Sequence, residues 1–188
     1  MVAVAAAGTV TVERTFQRHT SPRYRTLSGS AAGGRWGPPG AYPVLYLGRP
    51  TDSVAVEAYR HLVEPIEGMR PELVGPRRLL TCEVKITRVL DLRDSDVRAQ
   101  VGLGQEGLMS EVGDYEACHR VGLAAHQLAF HGILAPAATG LGETFAIFER
   151  RLPADEQPEL VADEMWETLP ADPRIPLLVE PERPQPPV

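Results

Sequence analysis

Two residues of this 188-residue chain stand out for chemistry: a glutamate at a helical position and an arginine within a run of glycines. Asp52 can cap a helix through about Val63, since Ala55, Ala58, Tyr59 and Leu62 recur at helical spacing. A step of roughly 100° per residue then places Glu57 with Ser53, Arg60 and Glu64 on one side, opposite the apolar stripe. The plainest role for Glu57 is a solvated partner of Arg60, a pair worth ~0.2–0.5 kcal/mol. What argues for more is the segment Val44–Leu47 just upstream, a strand carrying Tyr46 that delivers this helix from a glycine-rich loop. In that loop, Gly33-Gly34-Arg35-Trp36-Gly37-Pro38-Pro39-Gly40, the glycines let the backbone approach a ligand closely. Arg35 there can form charge-assisted bonds to a phosphate, each worth ~1.5–3 kcal/mol. The alternative is a surface turn with Trp36 as a lid over the core.

Other chemistries find less support. The Arg35 loop fits neither GxxxxGK[ST] nor GxGxxG, GxSxG is missing from the chain, and Gly140-Leu141-Gly142 is only a turn. His119 and His126 share a helix face, but seven residues separate them by ~10.5 Å, too far for one metal ion. Cys82 and Cys118 have no CxxC partner, and with no secretory leader they are expected as buried free thiols.

The elements that must position these groups follow from periodicity. Arg14–His19 is extended and leads to a turn at Ser21-Pro22, and Ser28–Gly40 is a loop. Pro65, Pro71 and Pro76 break the chain after the Glu57 helix. Arg78–Ile86 and Val89–Leu92 read as two extended pieces, and Asp94 or Ser95 opens a short helix ending near Gly102. The longest periodic segment, Asp114–His131, has Tyr115, Cys118, Val121, Ala125, Leu128 and Ala129 on one face, with Gly132 at its end. Ile133–Ala135 and Thr144–Glu149 are the last strand candidates. This order is not the alternation of a doubly wound sheet. The expected class is α+β, a compact single domain with a mixed or split, largely antiparallel sheet. Nine of the eighteen prolines lie from Pro153 onward, so 153–188 is expected as a loosely docked Pro-rich C-terminal extension, with a helical turn or two near Leu160–Leu169.

Composition sets outer limits. The hydrophobic share of 43% and charged share of 23% are those of a soluble globular protein, and the net charge of −6 provides no broad footprint for nucleic acid. No apolar run approaches the ~20 residues of a membrane helix, so a cytoplasmic protein without membrane or direct nucleic-acid contact is expected. Met1–Val12 reads as a strand or frayed arm rather than a signal peptide. A homo-oligomer is left open.

In order along the chain, Arg18-His19, Gly33-Gly34-Arg35-Trp36 with Pro38-Pro39, Val44-Leu45-Tyr46-Leu47 and Ala55-Val56-Glu57 resemble the RES-domain family, the bacterial toxins of toxin–antitoxin pairs with Xre-type antitoxins. The likeness continues through Tyr115–Gly122 to the late loop Gly132-Ile133-Leu134-Ala135-Pro136-Ala137-Ala138, covering most of Arg14–Arg151. The resemblance implies an ADP-ribosyltransferase-like fold over residues 13–152 that cleaves the nicotinamide–ribose bond of NAD⁺ by hydrolysis or phosphorolysis. It maps the catalytic residues onto Glu57, Arg35, Tyr46 and Arg18, with His19 and Trp36 added to these as NAD⁺-binding residues. Glu57 would stabilise the oxocarbenium-like ribose, Arg18 and Arg35 would neutralise the pyrophosphate or position inorganic phosphate as co-substrate, and Tyr46 would offer a ring face or a hydroxyl. No metal or prosthetic group is required. The family's late-loop serine falls on Ala137, a departure shared with a subgroup of NAD⁺-phosphorolysing toxins that has a similar Pro-Ala-Ala loop. Two alternatives accompany this reading: a protein ADP-ribosyltransferase using the same pocket, and a catalytically dead domain that only binds its antitoxin.

Overall fold

The alternating segment that begins at Val10 runs unbroken to Thr20 as β1 (Val10–Thr20), with Val12 and Phe16 turned inward. The computed structural model describes residues 1–104 and 115–175. After β1 come β2 (Leu45–Arg49), α2 (Thr51–Leu62), β3 (Arg77–Asp91), α3 (Ser95–Gln100), α4 (Glu116–Gln127), β4 (Gly132–Pro136), β5 (Glu143–Ile147) and β6 (Glu159–Trp166). A short α1 (Val2–Ala6) precedes them all. Asp114, where the sequence opens its longest helix, and the proline-rich end from 176 onward lie outside the described residues.

The strands close on themselves. β1 pairs with β2 and β3, β2 with β5, β5 with β4, and β4 with β3. The ring is therefore a barrel, antiparallel except for β3–β4, and β6 continues it antiparallel along β3. Period-two alternation decides what fills it. Leu45 and Leu47 of β2, Phe145 and Ile147 of β5, and Leu134 of β4 meet Phe16 and Cys82 in the interior. Burying each such large apolar side chain is worth ~1.5–3 kcal/mol. Ala146, Ile133 and Ala135 face the other way, into a second cluster formed with Trp36, Tyr42 and the apolar stripe of α4. α2 lies against β1 and β2, which places its polar side beside the barrel wall.

Several expectations change. Arg77–Asp91 is one strand, not two pieces: the register shifts between its pairings with Val10 and Val12, where Arg88 takes a φ of 52°. Ala129, at φ 58°, rather than Gly132, makes the left-handed exit after α4, and Gly132 opens β4. Val2–Ala6 is helical instead of extended because Val4 is buried in the cluster beside α4. The helical turns expected at Leu160–Leu169 are instead strand β6, with Leu169 buried beyond it. The reason is pairing: β6 matches β3 from Arg77↔Trp166 to Glu83↔Glu159, and Arg78 forms an ion pair with Asp163. The chain then returns to α2, where the Tyr59 hydroxyl donates to the Pro170 carbonyl at 2.8 Å and Arg174 bridges Asp172 and Glu64. Cys82 and Cys118 are buried in different clusters and are not joined as a disulfide. Among the described residues no helix is long and apolar enough to cross a membrane.

Candidate active site

A cavity of about 650 Å³ opens between α2, β1, the glycine loop and the start of α4. Arg18, His19, Arg35, Tyr46 and Glu57 all line it, so five residues singled out from the sequence converge. Trp36 does not. Its ring is fully buried in the core with Tyr42 and Val44, because the loop turns its Arg35 side chain to the cavity and the next one inward. The contribution of Trp36 is through its backbone: its N–H donates to the Tyr46 hydroxyl at 2.8 Å, and its carbonyl accepts from the Tyr42 hydroxyl at 3.0 Å.

The glycine loop is held by close approach. A side chain at Gly34 would run into the Tyr46 ring, and one at Gly122 in α4 would collide with the Trp36 carbonyl oxygen. Arg35, nearly buried, donates to the Pro136 carbonyl at 3.0 Å and places its guanidinium 5.4 Å from the Trp36 ring centroid. It thereby ties the early loop to the end of β4 across the site. Burial pushes the Tyr46 phenol upward, so the hydroxyl stays protonated while it accepts from Trp36.

Glu57 faces the cavity from α2 as the spacing predicts, with Ser53 and Arg60 on the same side. Its carboxylate sits 3.7 Å from Arg60 and 3.7 Å from His61 Nδ1. The pairing with Arg60 and the cavity position are therefore both real. Glu64 diverges, paired with Arg174 at 2.6 Å. Arg18 donates to the Ser28 carbonyl at 2.7 Å, and burial lowers its pKa against the pull of Glu149. His19 is held neutral, at about 3, first by burial and then by the charges of Arg77, His61 and Arg18. Arg77 approaches its Nδ1 at 3.4 Å, which makes that nitrogen the acceptor and leaves the ring proton on Nε2.

Spacing did not reveal Arg77, His61 and His119 as wall residues. The i+4 offset of His61 from Glu57 was a legible signal on one helix face. The entry of Arg77 depends on where β3 docks, which no local pattern carries. His119 lines the cavity and donates from Nε2 to the Gly34 carbonyl at 2.9 Å, while His126 stacks on Tyr42 at 3.8 Å between ring centroids. The two are therefore in different settings, one at the site and one in the core. Among the described residues no group of His, Cys, Asp and Glu is arranged to hold a metal ion.

The late loop contains no hydroxyl at Ala137, which is buried with its N–H on the Gly142 carbonyl at 3.1 Å. Ala138 is the wall residue, and Thr139 supplies the hydroxyl of this loop. Thr139 donates to the Leu141 carbonyl at 3.1 Å, so at 3.3 Å Ser53 is the donor to Thr139. Chemically the cavity combines one carboxylate with the arginines Arg18, Arg35, Arg60 and Arg77, a setting for a ligand that is anionic at one part and develops positive charge at another.

Residues 11–169 match the RES domain family. The chain is 34% identical over 151 residues to the NAD(+) phosphorylase MbcT of Mycobacterium tuberculosis, covering 79% of this chain and 80% of that protein. It is 31% identical over 155 residues to a second M. tuberculosis protein described as a probable NAD(+) phosphorylase, covering 80% of this chain and 72% of that one. The crystal structure of the M. tuberculosis MbcT–MbcA toxin–antitoxin complex superimposes with a TM-score of 0.77 at 31% identity, over 88% of this chain and 90% of that chain.

Proposed function

The chain belongs to the RES-domain family, and from that premise we propose that it is the toxin of a toxin–antitoxin pair and depletes NAD⁺ by breaking the nicotinamide–ribose bond. One observation carries the reading: among the described residues lining the cavity, Glu57 is the single carboxylate in a wall of arginines. NAD⁺ fits that pattern. Its pyrophosphate is anionic, and its anomeric carbon becomes cationic as nicotinamide leaves. The C–N bond breaks with its electron pair passing to the nicotinamide nitrogen, which discharges the pyridinium. Glu57 stabilises the ribosyl cation and holds the ribose hydroxyls, while Arg18 and Arg35 neutralise phosphate oxygens. Tyr46 contributes its hydroxyl proton, since its oxygen is already the acceptor for Trp36.

The acceptor in this reading is inorganic phosphate, in keeping with the phosphorylase named among the relatives. A phosphate oxygen then bonds to the anomeric carbon, and the product is ADP-ribose 1-phosphate. The catalytic unit is residues 13–152 in an ADP-ribosyltransferase-like arrangement, acting on the cytoplasmic NAD⁺ pool. An Xre-type antitoxin silences it by covering the cavity mouth. The test is chromatography of purified protein with NAD⁺ in millimolar phosphate and no added metal. Nicotinamide and ADP-ribose 1-phosphate are the expected products. ADP-ribose alone makes water the acceptor, and unchanged NAD⁺ overturns the reading in favour of a binding-only domain.

A further inference from the structure

Three of the four cavity arginines are already engaged. Arg18 holds the Ser28 carbonyl, Arg35 holds the Pro136 carbonyl, and Arg60 pairs with Glu57. Arg77 differs: among the described residues it forms no ion pair and donates to no carbonyl, and its Nε is buried without a hydrogen-bond partner. What it does have is the long contact of 3.4 Å to the ring of His19. A buried guanidinium N–H with no acceptor is strongly unfavourable. Such a group is kept where a ligand supplies the acceptor.

Its surroundings say which ligand. Arg77, Arg18 and His61 all act electrostatically on His19, so basic groups converge there. His61 also reaches Glu57 at 3.7 Å, which sets this basic corner directly beside the carboxylate. His61 and Arg77 further line a second hollow of about 440 Å³, bounded by Pro22, Leu62, Ile66 and Val74. Arg77 thus stands where that hollow and the main cavity meet. We propose that Arg77, with Arg18 beside it, binds a phosphate group next to Glu57 and marks the corner from which the attacking phosphate reaches the ribose. The shared chemistry is a phosphate oxyanion, supplied either as inorganic phosphate or as a phosphate of the dinucleotide. This rests on the NAD⁺-cleaving reading.

The experiment compares wild type with Arg77→Gln and Arg77→Lys, varying phosphate and NAD⁺ separately while following nicotinamide release. Arg77→Gln should raise the KM for phosphate ~10-fold or more, leaving kcat at saturating phosphate within a few-fold, with a smaller rise for Arg77→Lys. A rise in the KM for NAD⁺ instead assigns the bound group to the dinucleotide. Neither KM moving in folded Arg77→Gln, or in Arg77→Lys should the glutamine variant not fold, overturns the proposal. If wild type releases no nicotinamide, the NAD⁺-cleaving reading fails on its own, and the subsite is then read by inorganic phosphate in thermal melts. Phosphate should raise the midpoint of wild type and not that of the variant. An equal rise in both sinks it.

Discussion

Exchanging Glu57 for glutamine removes a charge and almost nothing else, which makes its consequences calculable from the geometry. The side chain is 28% exposed and its two partners lie at 3.7 Å, so its pairing is that of a half-exposed helix-face ion pair. Such pairs contribute ~0.3–0.5 kcal/mol. For a domain of this length that is a shift in thermal midpoint of roughly 1–2 °C. The helix itself is unaffected, because glutamine and glutamate have nearly equal propensity. Catalysis should respond on another scale. Losing one preorganised charge opposite a developing cation lowers kcat by ~10²-fold or more, equivalent to ~2.7 kcal/mol of barrier. Glu64→Gln is the matched control: it breaks a shorter ion pair of 2.6 Å with Arg174 just past the end of that helix, away from the cavity. Its thermal shift should equal or exceed that of Glu57→Gln, and its nicotinamide release should match wild type. Measuring both quantities for both variants separates stability from chemistry. A folded Glu57→Gln protein with undiminished turnover would refute the assignment.

Tyr46→Phe deletes the acceptor for the Trp36 N–H and should cost ~1–3 kcal/mol, lowering both the thermal midpoint and kcat/KM; an unchanged midpoint would show that the bond does not order the loop. Gly122→Ala would normally gain up to ~1 kcal/mol in a helix, but the added carbon meets the Trp36 carbonyl oxygen, so a net loss of ~1–3 kcal/mol is expected in denaturant titration. Glu156 should impose an acid limit on stability. Burial alone would raise its pKa, but the Thr87 hydroxyl and amide and the His131 ring at 2.7 Å lower it below the ordinary value. Its folded-state pKa being depressed, its contribution is present above the unfolded value and lost as pH falls through the folded one. Thermal midpoints of wild type should therefore drop between about pH 5 and 3, whereas Glu156→Gln, already lower at neutral pH, should flatten over that range.

Legibility from sequence followed the range of the interactions involved. The helix carrying Glu57 and the turn-rich loop carrying Arg35 are written in local spacing, so both were placed within a residue or two. The resemblance set Trp36 at the ligand, whereas its packing with Tyr42 and Val44 agrees with the plainer reading of the loop, an aromatic over the core. β6 escaped because it is exposed along nearly its whole length, Leu160, Val161 and Met165 included, which removes the alternation that marks a strand. Its identity comes from its pairing with β3. Arg77 belongs to the same class of information: its chemistry depends on which strand of the ring it sits on and which groups that strand carries it toward. Family resemblance supplied Arg18 and Tyr46, which composition and periodicity alone would have passed over.

On the proposed function, the barrel also bears on when the protein becomes dangerous to the cell that makes it. Arg18, Arg35, Tyr46 and Glu57 all emerge early in synthesis, yet β2 forms its full-length ladder with β5, and Arg35 is anchored to Pro136, 101 positions later. Closure must therefore wait for pairings of high sequence separation, which form slowly. A nascent chain that has not yet delivered Glu143–Ile147 has Arg18, Arg35, Tyr46 and Glu57 and no cavity to hold them. Interrupted translation would thus release fragments without a formed site. On the proposed function, the activity would then arise only in a finished barrel, at the end of elongation.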